Sequence, residues 1–252
     1  MPANRREQNS YLHECCFIVN NKPIELVQSF QHLGHTITSQ LNDVSDVTVR
    51  QHAFISQTNN VLYFFRKLTS IVKYRLFHSY CTSYYGCELW SLTTSNMSDF
   101  CTAWRRGVRS IWNLPYKTHC YLLPLICRCL PVLDELCRRS INFARSCVSH
   151  ESKLISQIAS HGIHFARCKS PMGLNILFCA DRYKSNVENI LSGFSNYVVQ
   201  SYYNRSIADA QLRASSFLSE LFSIRDSGQS FFGNVAFTKA ELDDIINHIC
   251  TR

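Results

Sequence analysis

The residues with the clearest chemical potential lie in the segment WRRGVRSIWNLPYKTH, residues 104 to 119. Its first nine positions hold three arginines and two tryptophans. Guanidinium groups bind phosphate oxygens through paired hydrogen bonds, and indole rings stack on unpaired bases. At about 100° per residue, Arg105, Arg106 and Arg109 fall on one arc of a helix, next to an apolar arc. Such a pattern is typical either of a surface that holds a nucleic-acid backbone or of an ordinary solvated helix face.

The charge of the surrounding chain favours the nucleic-acid interpretation. The formal net charge is +8, and residues 1 to 150 carry 16 Lys and Arg against 9 Asp and Glu, whereas residues 151 to 252 carry 10 against 9. A polyanionic partner would therefore meet the first part of the chain. The predicted nucleic-acid-binding residues are Arg66, Lys67, Lys73, Arg105, Arg106, Arg109, Trp112 and Lys117. Trp112 has two possible roles, base stacking or core packing, and packing is favoured because its ring buries a large area.

Motifs of catalysis and cofactor binding are missing from the sequence. It contains no phosphate-binding glycine loop, no dinucleotide fingerprint and no aromatic-x-Asp-Asp sequence. The adjacent pair Asp243 and Asp244 lies in an amphipathic stretch, where it fits the acidic first turn of a helix. We therefore predict that the chain by itself is not an enzyme and that it uses no cofactor.

A looser set of metal-ligand residue types runs from Cys147 to Cys168 and includes His150, His161 and His164. Zinc knuckles and ribbons need paired Cys-x2-Cys spacing, which this set lacks. The 13 cysteines are scattered through apolar stretches, as free thiols are in a reducing compartment. We predict buried thiols, surface histidines and no metal site, with a zinc-stabilised helical domain as an alternative.

The elements that must position the basic residues are mostly helices. Before them, alternating apolar residues predict strands with a turn at Asn20–Asn21, and a last strand at 35–38 after Gly34. The predicted fold class is mainly α with a small N-terminal antiparallel β hairpin or sheet (α+β). Helical spacing of apolar residues covers the stretches 43–68, 70–84, 95–114 and 132–150, and more weakly 183–203, 207–222 and 238–249.

The sequence has no segment that marks it for a membrane or for secretion. Its apolar runs fall short of the roughly 18 residues that a spanning helix needs. The first residues, MPANRREQNSYLHE, lack the apolar core of a signal peptide. The predicted location is the cytoplasm or the nucleus.

Three short motifs follow one another along the chain. The first is Val27, Phe30, His32, Leu33 and Gly34; the second is Tyr85, Gly86, Glu88 and Trp90; the third is Arg106, Arg109, Ile111, Leu114, Pro115, Thr118 and His119. Their succession resembles the region after the catalytic motifs in reverse transcriptases of non-LTR (LINE-type) retrotransposons, where the pattern is V-x-x-F-x-Y-L-G, Y-G-x-E-x-W and R-x-x-R-x-I-x-x-L-P-x-x-T-H. His32 replaces the tyrosine of that pattern. The resemblance covers about residues 15 to 165.

The resemblance implies a division of the chain. Residues 1–42 would be remnant palm strands, 43–90 thumb-like helices forming a bundle, and 91–170 a basic helical connector that contacts RNA or DNA, with 171–252 a helical segment of unknown function. The aspartates that hold two catalytic metal ions in that family are missing here, so the chain corresponds to a reading frame begun partway through a truncated element. The predicted function is weak, sequence-independent binding of RNA or DNA backbone, with the missing upstream polymerase domains as a second partner. A non-binding helical interaction protein, or a pseudogene product, is the alternative.

Overall fold

Two short antiparallel hairpins precede the helices. The computed structural model describes residues 18–24, 27–40, 42–127, 130–165, 169–192 and 195–224. Strand β1 (Ile18–Val19) pairs with β2 (Lys22–Pro23), and β3 (Ser29–His32) pairs with β4 (His35–Thr38). Both two-residue turns have positive φ angles, at Asn20–Asn21 and at Leu33–Gly34, the geometry that matches the twist of the flanking strands. The predicted turns and the strand at 35–38 are confirmed.

The β3–β4 hairpin exposes its apolar side chains. Phe30 is 59%, Leu33 74% and Ile37 47% exposed. His35 Nδ1 lies 3.0 Å from Asp46 Oδ2, which fastens β4 to the start of the first helix. The contacts of the chain divide it into two units, Met1–Asp46 and Val47–Arg252.

The described residues that follow form nine α-helices, which confirms the mainly α fold with N-terminal β hairpins. A 3-10 helix, Cys87–Leu89, lies between the second and third of them. None of the described helices has both the length and the apolar character that crossing a bilayer requires. The helices are α1 (Val44–Phe64), α2 (Ser70–Tyr80), α3 (Ser95–Ile111), α4 (Leu122–Cys127), α5 (Val132–Val148), α6 (Lys153–His164), α7 (Pro171–Tyr183), α8 (Val187–Leu191) and α9 (Ser195–Ile224).

One core of buried side chains joins these helices from Val47 in α1 to Val199 in α9. Its largest fully buried side chains include Trp90, Phe77 and Phe100. The helices of the predicted segments 43–90, 91–170 and 171–252 all contribute to it. Packing therefore does not separate these three segments from one another.

Helix α3 carries the basic residues on one side and packs into the core with the other. Its predicted apolar stripe is confirmed, with Met97, Phe100, Trp104, Val108 and Ile111 all buried. A Cβ added to Gly107 would lie 3.2 Å from Thr58 Cγ2, which is closer than a side chain tolerates without movement of its neighbour. The glycine therefore lets α1 and α3 approach closely.

Several predicted boundaries differ from the structure. The helix predicted at 183–203 is wrong, because α7 ends where Lys184 takes a left-handed conformation (φ 51°) and Asn186 then caps α8. Its side-chain oxygen accepts the Asn189 N–H at 2.7 Å. The sequence signal did not predict α6 or α7, and α2 ends at Tyr80 before the predicted 84. The helix predicted at 238–249 lies outside the described residues.

Candidate nucleic-acid interface

Ring and side-chain contacts bring three helix termini to one end of the helical unit. Helices α1 and α3 are parallel, because the Phe54 ring lies 5.7 Å from the Phe100 ring and, further along both helices, Thr58 lies against Gly107. Helices α2 and α3 are antiparallel, because Tyr74, early in α2, lies 5.7 Å from the ring of Trp112 at the end of α3, whereas Phe77, later in α2, lies against Gly107. The C-terminal ends of α1 and α3 and the N-terminal end of α2 therefore share one end.

Three of the predicted cations follow the helix ends that meet here: Arg66 and Lys67 after α1, and Lys117 after α3. A fourth, Arg106, lies on α3 five residues before its end, and all four are exposed to solvent. We call these four residues the basic end. Arg66 and Lys67 lie in the turn that follows α1. A hydrogen bond from the Leu68 N–H to the Phe65 carbonyl, 2.9 Å long, closes this turn. Within the described part of the chain, none of the four cations forms a hydrogen bond or an ion pair. Their charges are therefore available to a ligand.

Arg106 also lines a groove between α1 and α3. The groove has a volume of about 360 Å³, and Asn59 and Leu62 lie on its opposite wall. Asp99 lies in the same groove, on the first half of α3. The groove thus places one negative group at a distance of about two helical turns from Arg106 along α3, since seven residues separate them.

Two arginines of the predicted arc are engaged within the protein. Arg109 donates from Nε and Nη2 to the carbonyl oxygen of Thr118 at 3.2 and 2.7 Å, and Thr118 is buried. This bidentate contact fixes the loop that follows α3. Arg105 donates from Nη2 to Thr102 Oγ1 at 2.8 Å and lines a different groove, which it shares with Arg182. The structure therefore separates the three arginines that the helical arc placed together.

Lys73 and Trp112 pack against other side chains of the helical unit. Lys73 is only 6% exposed, because its position on α2 points between the helices. Trp112 packs on Tyr74, and its indole N–H is buried with no acceptor among the described residues. With 6% of its surface exposed, Lys73 offers little to a phosphate, and that assignment is corrected. Trp112 is partly exposed, and its contact with Tyr74 favours packing over base stacking.

Exposed aromatic residues that the sequence reasoning missed adjoin the basic end. Tyr63 and Phe64, the last two residues of α1, are 71% and 70% exposed, and their ring centroids lie 5.2 Å apart at 82°. Tyr116, directly before Lys117, is 76% exposed. A signal for the first pair does exist in the sequence, because three consecutive aromatics, Tyr63 to Phe65, span about 200° of a helix and cannot all face one core.

The chain around these residues has no acidic side chain. Residues 47 to 87 hold five basic residues and no Asp or Glu. The stretch covers α1 from Val47, the turn after it and all of α2. Nothing in the stretch offsets the attraction of its cations for a polyanion.

Interior polar contacts explain other residues of the three motifs. Gly86 has φ 76°, a conformation that suits glycine, and the chain then enters the 3-10 helix. Trp90 is 1% exposed, and its carbonyl accepts a hydrogen bond from Asn175 Nδ2 at 2.8 Å. Asn175 Oδ1 accepts the Leu92 N–H at 2.9 Å. These motif residues thus shape the fold.

An ion pair joins α5 to α7, with Asp134 buried and Arg182 partly buried. Arg182 donates from Nε and Nη2 to the two oxygens of Asp134 at 2.8 and 3.1 Å, and Tyr183 Oη donates to Asp134 Oδ1 at 2.9 Å. Burial alone would lower the pKa of Arg182, but its hydrogen bond and proximity to Asp134 outweigh burial and raise that pKa. Burial raises the pKa of Tyr183, which keeps the hydroxyl protonated and able to donate.

The residues of the zinc alternative do not assemble in the described part of the chain. Burial raises the pKa of Cys147, which disfavours the thiolate that zinc needs. His150 Nδ1 accepts the Ser152 N–H at 3.0 Å, and the His161 ring stacks on Phe165. Across the described residues, no group of three or more His, Cys, Asp or Glu could hold a metal ion; Cys168 lies outside them. The alternative gains no support.

Comparison with known proteins returns no relative. No family model matches this chain, and no curated protein and no solved structure matches it either.

Proposed function

We propose that this protein binds the phosphate backbone of RNA or DNA, weakly and without sequence preference, through the basic end. The observation that supports this proposal is the gathering of Arg66, Lys67, Arg106 and Lys117, exposed and without partners among the described residues, at one end of the helical unit. The acid-free stretch 47–87 surrounds two of them. Cations neutralise phosphates without identifying bases, which accounts for the expected lack of sequence preference.

We also propose an evolutionary origin for this chain. We infer from the three motifs that the chain derives from the end of the palm, the thumb and the connector of a non-LTR retrotransposon reverse transcriptase. The order of a β hairpin and then a helical bundle fits that derivation. Because the metal-binding aspartates of the family do not occur in this chain, we propose a binding role without polymerase activity, carried out in the cytoplasm or the nucleus.

The β3–β4 hairpin supports a second partner. Phe30, Leu33 and Ile37 are apolar and between 47% and 74% exposed. Two-stranded hairpins are marginal alone and gain stability when further strands or a helix cover them. We propose that upstream polymerase domains cover this hairpin in the parent element.

The salt dependence of binding tests the backbone proposal. The variant Arg66→Gln/Lys67→Gln/Lys117→Gln removes three exposed charges from the turns that follow α1 and α3, so it alters no helix. We expect the log–log slope of affinity against salt on mixed-sequence duplex DNA to fall by about two to three units, since each neutralised phosphate contributes about 0.9.

The matched control is Lys153→Gln/Lys169→Gln/Arg205→Gln, which removes three exposed charges from α6, the turn before α7, and α9. Its slope should equal that of the parent. If the parent does not bind at all, or if both variants lower the slope equally, the basic end is a solvated surface and the proposal is wrong. Sustained primer extension by repurified protein with Mg²⁺ would contradict the non-enzymatic part of the proposal.

A further inference from the structure

The aromatic residues beside the basic end indicate whether it binds single-stranded or duplex nucleic acid. We propose that Tyr63 and Phe64 stack on unpaired bases, so that the protein prefers single-stranded RNA or DNA to a duplex. This inference rests on the backbone binding proposed above and adds the form of the ligand. It follows from exposure, ring geometry and charge at the end of α1.

The two rings end α1 and precede Arg66 and Lys67 by only two or three residues. Both are more than two-thirds exposed, and their edge-to-face arrangement, 5.2 Å between centroids, leaves ring faces open to solvent. Proteins that bind single strands combine such rings with cations that follow the backbone. A duplex buries the faces of its bases in its own stack, so these rings gain little from it.

The same pairing of ring and cation recurs after α3, where Tyr116 precedes Lys117. Tyr116 is 76% exposed, slightly more than Tyr63 and Phe64. Because the C-terminal ends of α1 and α3 lie at one end of the unit, these two ring–cation pairs lie on the same side of the protein. One strand could therefore meet both.

An anionic membrane surface is the competing occupant of this end. Leu68 and Ile71 are 41% and 57% exposed and extend the apolar area. Nucleic acid is favoured because the most exposed apolar groups are aromatic rings next to cations, and because no acidic residue occurs between Asp46 and Glu88. Bases stack on rings, whereas Leu and Ile side chains offer no stacking face.

The test uses the variant Tyr63→Leu/Phe64→Leu, which keeps the apolar character and loses the rings. Its ligands are oligothymidylate, an abasic strand of the same length, and a duplex of that length. We expect the parent to prefer oligothymidylate, and the variant to lose about tenfold in affinity for that strand alone. The control Tyr197→Leu removes a 71% exposed ring from α9 and should bind as the parent does.

The outcomes separate this proposal from the backbone binding on which it rests. If parent and double variant bind all three ligands alike, stacking is wrong and backbone binding stands; if the parent binds none, both fail. If the double variant loses affinity for phosphatidylserine vesicles and keeps it for oligothymidylate, the end is a membrane surface and the proposal is overturned. Melting temperatures should match the parent's, and Phe64→Trp should show fluorescence quenched by oligothymidylate beyond the parent's.

Discussion

Three partly buried arginines donate to acceptors within the described part of the chain, whereas the cations of the basic end lie in solvent. Arg109 binds the Thr118 carbonyl and Arg182 binds Asp134. Arg139 donates to Glu135 at 2.8 Å and to the Ser83 carbonyl at 2.6 Å. Arg66 and Lys67, by contrast, are exposed and have no such partner among the described residues.

A count of positive charge therefore does not locate a polyanion site. Each interior arginine joins two parts of the fold: Arg109 holds the loop after α3, Arg139 joins α5 to the end of α2, and Arg182 joins α7 to α5. Arg109 and Arg182 each engage Nε and Nη2 in the protein, which leaves fewer donors and a fixed side chain for a phosphate. The comparison predicts that interior substitutions change stability and that substitutions at the basic end change binding.

The largest effect should come from Asp134→Ala. Asp134 is 2% exposed, and its loss leaves Arg182 and the Tyr183 hydroxyl without their acceptor. Breaking such a pair costs about 3–5 kcal/mol, which denaturant titration should reveal as a lower free energy of unfolding. Asp181→Ala is the control, because its pair with Lys184 is exposed. Equal losses for the two variants would contradict the assigned role of the buried pair.

A comparable effect is expected for Asn175→Ala. The Asn175 side chain forms hydrogen bonds with the Trp90 carbonyl and the Leu92 N–H. Both residues are buried and lie in the segment of chain that links α2 to α3. Each buried group left unpaired costs about 1–3 kcal/mol, and the two together should lower the melting temperature clearly. Oligonucleotide affinity of the folded variant should stay at the parent's value. The control Asn204→Ala removes an exposed amide from α9 and should melt as the parent does.

Two thiols that pack in or against the core, Cys87 and Cys101, add a pH dependence to the stability of the fold. Burial raises the pKa of Cys87 to about 12 and that of Cys101 to about 11, against an ordinary value of 9.0. The unfolded thiols therefore lose their protons first as the pH rises above 9, so stability is full below that pH and falls toward pH 11. The loss should be about 1–2 kcal/mol for each thiol at pH 10.

Melting curves between pH 7 and 11 measure this loss. The variant Cys87→Ala/Cys101→Ala should show a flatter profile than the parent, whatever its stability at pH 7. Cys120→Ala, which removes an exposed thiol, should keep the parent profile. An unchanged slope in the double variant would show that other groups govern the alkaline loss.

Local rules predicted the parts of the fold that local geometry decides. The two turns follow from Asn20, Asn21 and Gly34, residue types that tolerate positive φ, whereas Leu33 adopts a positive φ without such a preference. The buried stripe of α3 follows from helical periodicity. The break at Lys184 was missed because a lysine in the left-handed conformation has no strong sequence signal. Helix α6 was missed although Ala159 and Ile163 are buried, because its other face is also apolar.

The candidate site was less predictable, because side-chain exposure depends on residues far along the chain. Lys73 is buried although the charge pattern around it is basic. Arg109 is engaged because the loop returns to it nine residues later. The exposure of Tyr63 and Phe64, in contrast, has a local signal in the sequence, because three consecutive aromatic residues cannot all face one core. What periodicity assigns is a face of a helix, and tertiary contacts decide what lies against that face.

The smallest effect, and the sharpest test of the comparison, comes from two neighbours on α3. Helix propensity predicts no loss of stability for a glutamine at either Arg106 or Arg109. The structure predicts a difference, because Arg109→Gln loses two hydrogen bonds to the Thr118 carbonyl and Arg106→Gln loses none. We expect about 1 kcal/mol lower stability for Arg109→Gln with an unchanged salt slope of binding. For Arg106→Gln we expect parental stability and a slope lower by roughly one unit on duplex DNA.

Parallel denaturation and binding titrations measure both quantities on each variant. If the two variants exchange these properties, or if both change in the same quantity, arginines of the interior and of the basic end are not divided as proposed.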